Sequence, residues 1–155
     1  MISIHKATAL DAFYLGYAMR EEDRAEVKAS GGYTPEAAAL RSIQASTEAW
    51  AAEWDGEIVA CWGVVELNPL TRYGVVWALT GKLVEAHPKL FYKGSKEVVR
   101  DLRTRYSLLV NAVDARYARA LRWVERLGFE VGESRSYGVE GRPFHPIALK
   151  GVQHV

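Results

Sequence analysis

The run Ile58-Val-Ala-Cys-Trp-Gly-Val-Val65 is almost wholly apolar and does not alternate. A strand of that kind is covered on both faces, so it belongs to the interior of its sheet. It follows Asp55-Gly56, the strongest short hairpin signal in the chain, with Thr47–Trp54 as the other arm and Ile58–Glu66 as its own. A covered central strand needs helices on both sides, and the flanking sequence supplies helical patterns. This already argues for a mixed α/β architecture and against a sandwich.

Before the hairpin, Ile2–Ala7 alternates as a short strand. Thr8 followed by Asp11 is an acidic variant of a capping box, and Leu10, Phe13, Tyr14 and Tyr17 are spaced to make one apolar helical face. Arg20–Lys28 is charge-dense and reads as a solvated helix that Gly31-Gly32 breaks. Thr34-Pro35 starts another helix, with Leu40 and Ile43 facing inward.

After the hairpin, Asn68-Pro69 turns the chain and Tyr73–Leu79 is a further apolar strand. Residues 81–105 read as helix, with breaks allowed at His87-Pro88 and Gly94. Tyr106–Val110 is a strand. Asp114 is expected to begin a helix whose stripe is Tyr117, Ala120, Leu121, Val124 and Leu127, ended by Gly128. Ser136–Val139 and Phe144–Leu149 are strand candidates on either side of Gly141-Arg142-Pro143. The expected order is β-α-α-β-β-β-α-β-α-β-β, a central mixed, twisted sheet flanked by helices. With no linker, repeat or low-complexity segment, residues 1–155 read as one domain, which suits the length and the 49% hydrophobic, 25% charged composition.

The net charge is only +1, so the whole-chain balance gives no argument for a nucleic acid or an anionic membrane. The cancellation hides a polarity. Residues 1–60 hold five Lys/Arg against ten Asp/Glu, and residues 80–126 hold eleven against five. Either the two halves are differently solvated faces, or the second meets an anionic cofactor, nucleic acid or acidic partner. One cysteine, Cys61, excludes an intramolecular disulfide, and MISIHKATAL lacks the apolar core of a secretion signal, so a reducing interior is expected. No apolar run is long enough to span a bilayer. His5, His87, His145 and His154 show no metal-ligand spacing. Cys61 lies within the covered strand and reads as a small core residue. No GxSxG, Walker loop or CxxC is present.

Leu109-Val-Asn-Ala-Val-Asp114 leading through Tyr117, Ala120 and Trp123 to Leu127-Gly128-Phe129 resembles the C-terminal motif of GNAT-fold N-acetyltransferases, and the element order agrees with that fold. Val76-Trp77-Ala78-Leu79-Thr80, Ala86-His87-Pro88, Val113-Asp114-Ala115-Arg116, Arg122-Trp123, Tyr137-Gly138 and Pro143-Phe144 are also similar to the internal virion protein A group, small GNAT-like proteins of tailed bacteriophages, over roughly residues 50–145. That likeness implies virion assembly or genome delivery, protein partners in the particle, and a place in the host cytoplasm during assembly or in the virion itself.

The GNAT resemblance also implies where acetyl-CoA would be held. The family grips the pyrophosphate with a Gly-rich turn after the fourth strand, using free backbone N–H groups and a helix N-terminus. Thr80-Gly81-Lys82 stands there, with one glycine where the family has a spaced set; it is either a cofactor loop or an ordinary helix start. The family's base is often a carboxylate on or near the fourth strand. Tyr73–Leu79 has none, leaving Glu66 as the nearby substitute. The family's tyrosine acid, five residues before the phenylalanine, corresponds to Val124, and Tyr117 is taken for core packing. Arg116, Arg119, Trp123 and Arg126 instead suit a protein interface. Three readings follow: a degenerate acetyltransferase serving as a phage structural or assembly factor; an active acetyl-CoA-dependent N-acetyltransferase with an atypical site; and a basic module touching nucleic acid through residues 82–126.

Overall fold

The computed structural model describes residues 1–152; His154 lies outside the described residues. The elements are β1 (Ile2–Lys6), α1 (Ala9–Ala18), α2 (Glu21–Gly31), α3 (Pro35–Ala45), β2 (Glu48–Trp54), β3 (Glu57–Asn68), β4 (Tyr73–Thr80), α4 (Leu83–Ala86), α5 (Pro88–Arg105), β5 (Leu108–Asp114), α6 (Ala118–Arg126), β6 (Glu130–Val131), β7 (Arg135–Tyr137) and β8 (Arg142–Lys150). They form one mixed sheet in the order β1-β2-β3-β4-β5-β8-β6, with β7 added on β8. All neighbours are antiparallel except β4 and β5.

The hairpin forms where the sequence puts it. Asp55 and Gly56 both take positive φ, at 49° and 84°, and β2 and β3 pair on either side. The apolar strand β3 lies inside the sheet, with Cys61 and Val64 wholly buried. Cores fill both faces. One packs Ala12, Leu15, Met19 and Ala39 of α1 and α3 and their flanks against Ala51, Cys61 and Leu79. The other packs Val99, Leu102 and Val124 of α5 and α6 against Val64, Leu109 and Ile147.

Three expectations need correction. Leu10, Phe13, Tyr14 and Tyr17 face solvent, and α1 is buried instead through Asp11, Ala12, Leu15 and Gly16. Packing is closest at Gly16, where a Cβ would sit 2.9 Å from the Glu36 backbone of α3, while Leu15 fills the core beside it. Asp114 does not begin a helix. It ends β5, its Oδ1 accepts the Arg116 N–H at 2.9 Å, and α6 starts at Ala118. Helix α5 runs through Gly94 without a break, while His87-Pro88 does separate α4 from α5.

Candidate functional site

The parallel pair β4–β5 decides where a ligand could enter. It is hydrogen-bonded in register only at Tyr73↔Leu108, Gly74↔Leu109 and Val75↔Val110. Beyond these residues the strands part, and the Asn111 side-chain amide donates to the Val76 carbonyl across the first gap. The result is a wedge whose open end lies between Thr80 and Asp114, the last residues of the two strands.

Helix α2 lies across that open end. Asp23 Oδ2 accepts the Thr80 N–H at 2.9 Å and also the Thr80 hydroxyl. Glu26 Oε2 accepts the Asp114 N–H at 3.1 Å. Two carboxylates three residues apart on one helix thus cap the ends of two strands (residues i and i+3 share a helix face). Arg20 Nε stands 3.6 Å from Asp23, and both side chains are largely buried. Burial raises the Asp23 carboxyl above its ordinary range. Burial also pushes Glu26 up to about 7, with the Asp23 and Asp114 charges adding to the rise and the Asp114 N–H opposing it. Asp114 goes the other way: its burial is outweighed by hydrogen bonds from Arg116, whose guanidinium lies 2.7 Å from Oδ2. Tyr117 is half-buried beside them, with the Arg116 guanidinium 5.3 Å from its ring centre and its phenol raised by burial.

The residues singled out by sequence are distributed differently. Thr80, Gly81 and Lys82 do sit at the wedge, but their N–H groups are spent on the chain itself. Thr80 donates to Asp23, Gly81 to the Val59 carbonyl at 2.8 Å, and Lys82 to the Ala18 carbonyl at 3.0 Å. Gly81 pairs with Met19 as an isolated bridge, so the segment after β4 lies along the α1–α2 connection like a strand. The crowding that favours glycine at 81 comes from the carbonyls of Val59 and Ala18, 3.3 and 3.4 Å from where a Cβ would be. Glu66 is at the opposite, closed end of the wedge, opposite Gly74, and is ion-paired with Arg72. Its carboxylate is engaged by the Arg72 guanidinium and lies away from Thr80 and Asp114.

Of the interface set, Arg116 is turned onto Asp114. Trp123 stacks on Phe91 at 5.3 Å, and the Arg126 guanidinium covers the Tyr92 ring at 4.4 Å. Arg119 is exposed. Trp123 and Arg126 are therefore brought together against α5, and Arg116 is not with them. Sequence reasoning missed Asp23 and Glu26. Their partners lie 57 and 88 residues away, so nothing local separates them from the exposed acids around them.

The sequence matches no protein-family model and no curated protein. Solved structures do share its architecture. The ribosomal-protein-S18-alanine N-acetyltransferase from Escherichia coli aligns with a TM-score of 0.70 at 17% identity, over 100% of this chain and 97% of that one. The putative acetyltransferase yncA from Salmonella typhimurium, solved with its cofactor acetyl-CoA, aligns at 0.71 and 14% identity, over 100% and 96%. An acetyltransferase of the GNAT family from Streptococcus pneumoniae aligns at 0.63 and 13% identity, over 98% and 100%. The chain has the GNAT acetyltransferase fold. Identities this low carry the fold and leave substrate and activity to be argued from the site. Nothing in these likenesses bears on a phage particle.

The residues present do not fit acetyl-CoA in the manner the GNAT resemblance implies. A pyrophosphate needs unpaired N–H groups at a helix start. Here the N–H groups of residues 80–82 are paired, and α4 behind them is only four residues long. The open end of the wedge presents Asp23 and Glu26, whose ionised forms would repel a phosphate.

Proposed function

We propose that residues 1–155 form one GNAT-like domain that acts by docking to other proteins, having lost the cofactor grip of an acetyltransferase. The observation that carries this reading is the internal pairing of the N–H groups of Thr80, Gly81 and Lys82, with α2 carboxylates closing both strand ends. The docking surface would be the α5–α6 face with Trp123, Arg119 and Arg126, where aromatic and arginine side chains meet, as they do in protein interfaces. The sequence likeness over residues 50–145 supports virion assembly or genome delivery as the setting, with other particle components as partners. No helix among the described residues is long and apolar enough to cross a membrane.

One observation favours a second reading, an acetyl-CoA-dependent N-acetyltransferase with an atypical site. Glu26 has an affinity for protons matched to neutral pH, as a general base requires, and Tyr117 stands nearby. Thermal unfolding with and without acetyl-CoA separates the two. A ligand at about 100 times its Kd stabilises a fold by roughly 2.7 kcal/mol, which for this size is a rise of about 5–11 °C. No rise in millimolar acetyl-CoA is the expected result. A rise of several degrees would overturn the docking-only reading.

A further inference from the structure

Away from the wedge, the first turn of α1 meets the edge of the sheet. We propose that His5, Asp11 and Glu53 form a site for a divalent transition metal of the zinc class. His5 comes from β1, Asp11 from α1 and Glu53 from β2, and their potential ligand atoms all lie within 4.8 Å of one another. One imidazole nitrogen and two carboxylates form a donor set that suits Zn²⁺, and three protein ligands leave a fourth position for water or a ligand. That position would open onto a cavity of about 690 Å³ that Asp11 and Glu53 line together with Thr8, Tyr14 and Lys82.

The arrangement around Asp11 is that of a supported ligand. Its side chain is 8% exposed. The Oδ2 atom accepts the Thr8 N–H at 2.8 Å and the Thr8 hydroxyl at 3.0 Å and is hydrogen-bonded to His5 Nε2 at 2.9 Å, a contact that the metal would replace, while among the described residues Oδ1 takes no hydrogen bond. Thr8 thus fixes the carboxylate from behind, as outer partners of metal ligands do. Glu53 has neither a hydrogen bond nor an ion pair among the described residues and is partly buried close to a second carboxylate. Two like charges so placed repel, and a dication between them reverses the sign. Donors around a tetrahedral zinc with bonds of about 2.0–2.1 Å stand roughly 3.3–3.4 Å apart. His5 and Asp11, now hydrogen-bonded at 2.9 Å, have to part by about 0.4 Å to reach that spacing, and Glu53 has to swing inward.

The test is calorimetric titration of chelator-treated protein with Zn²⁺. The expected result is one ion per chain, at least tenfold weaker in both Glu53→Gln and His5→Gln, and unchanged in His145→Gln. Glu53→Gln removes no hydrogen bond or ion pair among the described residues, so its loss of binding reports ligation. Co²⁺ supplies a second readout: visible absorption of a tetrahedral ion in the wild type, absent in Glu53→Gln. Absence of one-to-one binding, or binding that survives both substitutions or vanishes in His145→Gln, would overturn the proposal.

Discussion

Replacing Glu26 by glutamine tests whether α2 really buries a carboxylate at the open end of the β4–β5 wedge. Burial, helped by Asp23 and Asp114, raises this carboxyl from 4.5 to about 7. The folded chain therefore holds the proton to higher pH than the unfolded chain does. Stability from Glu26 is full below its unfolded value and is lost as pH rises toward 7. At 1.36 kcal/mol per pH unit, the loss approaches about 3 kcal/mol. Asp23 shifts in the same direction, whereas Asp114 acts only at the acidic end, below its ordinary value of 3.8. Glutamine keeps an oxygen to accept the Asp114 N–H and has no proton to lose. Urea unfolding followed by tryptophan fluorescence should show wild-type stability falling from about pH 5 to about pH 8 and a flatter profile for Glu26→Gln. At the alkaline end the variant should be the more stable by up to about 3 kcal/mol, or roughly 6–12 °C in Tm. A wild-type profile that stays level over this range, with no gain in the variant, would refute the placement of α2 across the wedge.

Other outcomes follow from single positions. Gly16→Val should destabilise the fold by about 1–3 kcal/mol in denaturant unfolding, because a Cβ there meets Glu36 at 2.5–2.9 Å. Cys61 is wholly buried, and burial pushes its thiol up to about 12, so a disulfide reagent at neutral pH should label it only at the rate of unfolding. Exchanging Trp123 for phenylalanine should cost less than about 1.5 kcal/mol despite the lost volume, since its Nε1 is buried without a partner among the described residues while the stack on Phe91 is kept.

Strands were more legible in the sequence than the site. Asp55-Gly56 specifies its turn locally, through two positive φ values, and the apolar run of β3 reports its own burial. The face of α1 misled because large side chains signal burial only where there is room. Here the buried face of α1 is the one that carries Ala12, Leu15 and Met19, with Gly16 set close against α3, and the aromatic residues fall on the other side. Asp114 imitates a helix cap because its side chain does accept an N–H two residues on, but it serves a turn ending β5. The two-residue β6 is too short to leave a pattern and exists because β8 offers it an edge. The carboxylates of α2 acquire their role wholly from distant partners, and Thr80–Lys82 looked like a cofactor loop because residue types do not reveal which N–H groups the fold has already used.

The most direct measurement of the central claim is a calorimetric titration with acetyl-CoA at low salt. No saturable binding heat is expected, in wild type and Lys82→Glu alike, because the N–H groups a pyrophosphate would need are held by Val59, Ala18 and Asp23. One-to-one binding that free CoA displaces and Lys82→Glu abolishes would contradict it.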